Sequence, residues 1–145
     1  MSSITQNYDN HSKSPPKYFL VALSLIGAHM IWAMFVMVTA FSLSSVMSGL
    51  FAIGILIIAF YARLHALGVQ DRVIRLEEQI RLEGILGSES REDIHGMATG
   101  QLIGLRFASD GEVAALFRTI VEEDIEDRNE IKKRVKVWRA DHQRI

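Results

Sequence analysis

The run YFLVALSLIGAHMIWAMFVMVTAF, Tyr18 to Phe41, is followed after four residues by VMSGLFAIGILIIAFYARLHAL, Val46 to Leu67. Apart from tyrosine, the ionisable side chains of this stretch are His29, near the middle of the first run, and Arg63 and His65 at the border of the second. As α-helices the two runs would be about 36 Å and about 33 Å long at 1.5 Å per residue, enough to cross a hydrocarbon core of about 30 Å with some tilt. The stretch therefore predicts a two-helix transmembrane hairpin. A cleaved signal peptide fits the first run poorly, because the run exceeds the usual apolar region and a second one follows almost at once.

All Lys, Arg, Asp and Glu residues lie outside Tyr18 to Ala62, so the formal net charge of -1 over 145 residues averages two different kinds of chain. Lys13 and Lys17 precede the first span, Arg63, Arg72 and Arg75 follow the second, and the linker Ser42 to Ser45 carries no charge. By the excess of basic residues on cytoplasmic flanks, both termini are expected in the cytoplasm. Within the spans, Ser24 and Ala28 in the first, with Gly27 alongside, and the pairs Ser45/Gly49 and Ser48/Ala52 in the second stand four residues apart, the spacing of small residues that lets helices approach closely. The linker serines are candidates for capping the helix ends.

His29 is the candidate intramembrane polar site. A proton relay would need an acidic partner, and neither span holds one. A neutral imidazole bonded across the hairpin to a serine or a backbone carbonyl is the plainer reading. Met30, Met34 and Met37 serve as adaptable packing groups, without need of a metal path.

Residues 1–17, rich in Ser, Asn and Gln and ending in Pro15-Pro16, read as a mobile tail. Beyond Leu67 the apolar residues Val69, Val73, Leu76 and Ile80 recur at spacings of four and three. This predicts a helical stalk over 68–86 that self-associates along that row as a short coiled coil. Asp71/Arg75 and Glu77/Arg81 are spaced to form ion pairs along it, and Gly84 and Gly87 are candidate stops.

The segment GSESREDIHGMA, 87–98, reads as a linker. Residues 99–145 then give three short helical signals. Leu102, Ile103, Leu105 and Phe107 lie in the first. Ser109-Asp110-Gly111-Glu112 has the form of a capping box, and Val113, Leu116, Phe117, Ile120 and Val121 follow on one helical face. Asp127 is the expected N-cap of a last helix with Ile131, Val135 and Trp138 on its apolar side and a basic opposite side. Lys132, Lys133, Lys136 and Arg139, with Trp138, are the candidate contacts of this helix with anionic lipid or an acidic partner. Alternatively, the upstream acids Glu122, Glu123, Asp124, Glu126 and Asp127 neutralise it inside the bundle. The fold class is all-α: hairpin, cytoplasmic stalk and small C-terminal three-helix bundle.

The residues Gln6-Asn7-Tyr8 and Asn10-His11-Ser12, Gln70-Asp71-Arg72 with Ile74-Arg75 and Glu77-Glu78, Leu105 to Asp110, and Glu130 to Lys133 with Trp138-Arg139-Ala140-Asp141 resemble a family of small two-span bacterial membrane proteins of unknown function. The resemblance covers nearly the whole chain. It implies a bacterial origin and this architecture, and transfers no catalytic residue. The family pattern has longer polar side chains where this chain has Gly100 and Gly104.

Cysteine is absent, which removes disulfides and thiolate chemistry. The histidines at 11, 29, 65, 95 and 142 lack metal-ligand spacing, and the phosphate-binding and nucleophile motifs are missing. No cofactor and no enzyme activity is expected. The sequence reads as an integral, multi-pass protein of the bacterial inner membrane with an accessory or interaction role, its partners being lipid and either a second copy or another membrane protein. Two alternatives are a membrane-tethered nucleic-acid binder and a small proton or ion transport component acting through His29. The first draws on seven Lys/Arg between Arg128 and Ile145. Against it, Gly87 to Ile145 carries ten basic and twelve acidic residues, a poor field for phosphate.

Overall fold

The computed structural model describes residues 6–11 and 14–140. Ser12, Lys13 and Asp141, used above, lie outside them. Among the described residues six α-helices and one 3-10 turn follow in order: α1 (Lys17–Thr39), α2 (Leu43–Leu86), a turn at Ser88–Ser90, α3 (Arg91–Gly96), α4 (Thr99–Leu105), α5 (Asp110–Glu122) and α6 (Arg128–Arg134). The chain divides into two units, one built from Ser14–Gly68 and the other from Val69 onward together with residues 6–11. The class is all-α, as the apolar periodicities predict.

In the first unit, α1 and the opening turns of α2 are long and apolar enough to cross a membrane, and in their most apolar windows only 6% and 11% of residues are buried. The linker serines cap α2 reciprocally. Ser45 N–H donates to Ser42 Oγ at 3.2 Å, and Ser42 N–H donates to Ser45 Oγ at 3.1 Å. Of the small residues proposed for packing, Ser45 and Ala52 are buried and Ser48 and Gly49 half-buried, whereas Ser24 and Ala28 are exposed. The inner face of α1 runs instead through Leu23, Ile26, Gly27, Met30 and Ala33. Spacing alone left that face open, because an all-apolar helix has no polar side to orient it.

In the second unit, α2 continues unbroken through Gly68 and stops at Gly87, whose φ of +83° suits glycine. Around its last turns Leu82 joins Ile94, Met97, Leu102, Leu105, Val113, Leu116, Phe117, Ile120, Ile125, Ile131 and Val135 in one core. The segment 87–98 is thus more than a linker: α3 forms there and buries Ile94 and Met97. Polar surroundings hid it, because α3 is tied to α2 by charge. His95 Nε2 lies 2.6 Å from Glu83 Oε1, and Arg91 lies 3.5 Å from the same oxygen.

Gly104 marks the crossing of α4 and α6, since a Cβ there would fall 2.8 Å from Ile131 Cγ2; at Gly100 the nearest atoms are 4.0 Å away. The turn after α5 closes on Asp124 at φ 50°, with Ile125 N–H reaching Ile120 O at 3.1 Å and its side chain entering the core.

Asp127 caps α6 as predicted, accepting from Asn129 N–H at 2.9 Å. The helix then ends at Arg134, short of Lys136, Trp138 and Arg139. Residues 137–139 run extended and antiparallel to 107–109: Ser109 N–H donates to Val137 O at 3.0 Å and Arg139 N–H to Phe107 O at 2.7 Å. The capping box at Ser109 accordingly does not form. Glu112 accepts instead from Lys136 N–H at 3.2 Å and Val137 N–H at 3.0 Å, supplying acceptors that an extended segment without a full sheet lacks.

Candidate functional site

Two carboxylates of the second unit, those of Glu78 and Asp110, converge on Arg81. Its guanidinium lies 2.8 Å from Glu78 Oε2 on the same helix and 2.6 Å from Asp110 Oδ1 at the start of α5, and donates to Ala108 O at 2.7 Å. Arg139 approaches the other Glu78 oxygen at 3.5 Å. The i,i+4 pair expected between Glu77 and Arg81 gives way to this arrangement, because Ile74, Glu78 and Leu82 lie on the buried side of α2 and Arg81 turns toward them.

Burial raises the Glu78 carboxyl above its ordinary value of 4.5, with Arg81, Arg139 and Arg106 opposing the shift. Asp110, at the surface, is held below its ordinary 3.8 chiefly by the hydrogen bond from Arg81. On α6, the Arg134 guanidinium is held more firmly protonated than usual, first by its hydrogen bond to Glu123, at 2.6 Å, and then by that to Glu130 at 3.0 Å.

Beside this ionic cluster lies an aromatic one. Phe107, fully buried, has the Trp138 ring centroid at 5.0 Å and the His11 centroid at 5.5 Å, and His11 and Trp138 are 5.7 Å apart. The Arg106 guanidinium stands 4.7 Å and the Lys132 ammonium 5.4 Å from the Phe107 centroid, both within cation–π range. His11 Nδ1 bonds to the Tyr8 carbonyl, and Nε2 lies 3.2 Å from Lys132 Nζ. A carbonyl only accepts, so Nδ1 is the ring nitrogen that donates in the contact with Tyr8.

Residues 6–11, within the segment read as a mobile tail, are therefore packed into this unit. Tyr8 stacks near His11 at 5.6 Å with Lys133 5.8 Å from its ring. Composition concealed this, since a few rings docking on another element leave no local periodicity.

Among the proposed lipid or partner contacts, Lys132 is buried against Phe107, Trp138 is half-buried in the aromatic cluster, Arg139 faces Glu78, and Lys133 and Lys136 are exposed. They do not form one basic helix side, because α6 stops before three of them. The proposed self-association row Val69, Val73, Leu76 and Ile80 is exposed throughout. In the other unit, His29 Nε2 lies 3.1 Å from Ser48 Oγ, the serine partner across the hairpin that the sequence suggests.

A half-open groove of about 370 Å³ runs between the end of α2, α3 and α5, with Leu86, Phe117 and Val121 as its apolar floor and Asp93, Arg118 and Glu122 at its rim. The ionic and aromatic clusters hold segments of the unit together.

The residues that carry the resemblance thus meet in space: His11 from the N-terminal segment, Glu78 from α2, Phe107 from the turn before α5, Asp110 from the start of α5, Lys132 from α6, and Trp138 and Arg139 from the extended segment. Neither curated proteins nor solved structures give a match to the chain. A family model spanning residues 1–145 does match it, and the chain belongs to that family, described as a family of unknown function (DUF6526).

Proposed function

We propose that this chain is an integral membrane protein, anchored by a two-helix hairpin, whose helical domain serves as an interaction or accessory module rather than an enzyme. The observation that carries the anchor is the outward display of apolar side chains from α1 and the opening of α2. Tyr18, Trp32, Phe35, Val38, Phe51 and Ile58 are all more than half exposed. In water such a surface would cost about 25 cal/mol for each Å² left uncovered, whereas lipid covers it.

Helices bond their own backbone groups, as lipid requires, and the side-chain hydroxyls of Ser24 and Thr39 turn inward to donate to Leu20 O and Phe35 O, each at 2.9 Å. Lys17, Arg63, Arg72 and Arg75 flank the spans, and the connection between them carries no charge. This supports a cytoplasmic position for both ends of the hairpin, in a bacterial inner membrane if the family resemblance is followed.

The interaction role is supported by the domain's own chemistry. Arg81 ties α2 to the start of α5 through Glu78 and Asp110, and the unit also presents an exposed apolar helix row and a groove lined in part by Leu86, Phe117 and Val121. Arg134 and Arg139 spend their charge on Glu123, Glu130 and Glu78, which weakens the nucleic-acid reading.

Reporter fusions test the topology. A periplasm-dependent phosphatase placed after Ile145 should be inactive and one inserted near Ser44 active. The reverse pattern, or recovery of the full chain in the soluble fraction, would sink the anchor.

A further inference from the structure

The second unit covers one side of α2 and leaves the other bare. Ile74, Glu78, Gln79 and Leu82 are buried, whereas Val69, Val73, Leu76 and Ile80 are 61%, 48%, 60% and 74% exposed. At about 100° per residue the exposed four fall within about 60° of one another on the helix, opposite Glu78 and Leu82. Among the described residues, the other large apolar side chains this unit exposes are Ile85, Val121 and Val137. The row ends where Glu83 takes the next position, already engaged by His95 and Arg91.

The spacing 4, 3, 4 assigns Val69 and Leu76 to one core position of a heptad and Val73 and Ile80 to the other. Arg72 and Glu77 then flank the row on its two sides, each about 70° from its centre. Among the described residues neither makes an ion pair within the chain, although Arg75, Glu78 and Arg81 on the same helix are all engaged.

Arg72 and Glu77 are five residues apart, the separation that brings a flanking residue of one strand against its opposite-charged counterpart on a parallel, in-register partner. In an antiparallel alignment each flanking position meets its own kind across the seam, so Arg72 and Glu77 would not face each other.

We propose that the face Val69, Val73, Leu76 and Ile80 is occupied by a second copy of this chain, as a parallel two-stranded coil closed by reciprocal Arg72–Glu77 pairs. This deepens the accessory reading by naming the partner, and it rests on that reading for one point: anchors inserted the same way present the two copies in parallel.

The absence of native cysteine makes the test direct. Full-length chains bearing Val73→Cys or Leu76→Cys, expressed in membranes and oxidised, should cross-link between copies, and Arg75→Cys, on the far side of the row, should not. In the Leu76→Cys background, Arg72→Glu alone or Glu77→Arg alone should lower cross-linking by about fivefold, as two surface pairs become repulsive together. The double exchange should restore it.

Equal cross-linking at 73, 75 and 76, or none at 73 and 76, would overturn the pairing. Single charge changes without effect, or a double exchange that does not rescue, would overturn the parallel register. Fractionating the same samples separates the two readings: membrane-bound protein without cross-links leaves the anchor standing and removes the pair, whereas cross-linked protein in the soluble fraction does the reverse.

Discussion

The two units of this chain use the same secondary structure with opposite sides out. In α1, Trp32 and Phe35 are 62% and 58% exposed and small Ala33 is buried at 4%; in the helical domain Phe107 is fully buried and its surface carries charge. Large apolar groups outside and small ones inside fit the proposed membrane anchor, in which helices would gain nothing by hiding Leu from lipid and would pack through small residues. Large apolar groups inside are what water requires of α5, whose Val113, Leu116, Phe117 and Ile120 fall on one face. The contrast teaches that composition distinguishes the two environments, while the size of the residue at a contact distinguishes the two kinds of packing.

That contrast breaks most sharply at paired phenylalanines. Phe107→Ala should destabilise the helical domain by about 3–5 kcal/mol, because it empties a core site and releases Trp138 and His11 together. Phe35→Ala should leave the domain unchanged. Hydrogen exchange of the α4 to α6 amides in detergent-solubilised full-length protein reports both, and equal protection loss in the two variants would contradict the assignment of Phe35 to an outward face.

Glycines sharpen it next. Gly104→Ala should cost about 1–3 kcal/mol through the clash with Ile131, whereas Gly100→Ala should be neutral or stabilise α4 by up to about 1 kcal/mol. Two equally tolerated substitutions would mean that α6 does not approach α4 at Gly104.

Acid should then act on the domain in two steps of opposite sign. The raised Glu78 value means the folded state takes up that proton first, so stability gains as pH falls through the raised value toward 4.5. The lowered Asp110 value means the Arg81 interaction is fully present above 3.8 and is lost as pH falls through the depressed value. Urea midpoints against pH should therefore show a rise followed by a fall, with Glu78→Gln flattening the rise and Asp110→Asn shrinking the fall. An acid limb unchanged by Asp110→Asn would remove Arg81–Asp110 from the account.

The smallest effect belongs to the hairpin. Ser48→Ala should weaken it by about 0.6 kcal/mol, the scale of a hydrogen bond between helices in lipid, read as a shift in a detergent titration of hairpin compactness. A loss several times larger would give His29 a role beyond packing.

Local features were legible in the residues alone: both apolar helices, the stop at Gly87, the Asp127 cap, the exposed row on α2 and the core side of α5. Each depends on groups within a few residues of one another, so periodicity and capping chemistry reveal them. The α1 face, the helical segment at 91–96, the early end of α6 and the docking of His11 were hidden. In each case the deciding partner is remote in sequence: Ala33 is buried in the hairpin, Glu83 holds α3, Phe107 and Ser109 pair with 137–139, and Phe107 with Trp138 receives His11.

The same division applies to charge. Sequence alone determined where the charges are and that the two apolar runs exclude them. Only the tertiary structure decided that Arg81 binds Glu78 and Asp110 and that Glu112 serves the 136–137 backbone, because a buried carboxylate or an unpaired N–H is satisfied by whichever group the fold brings within about 3 Å.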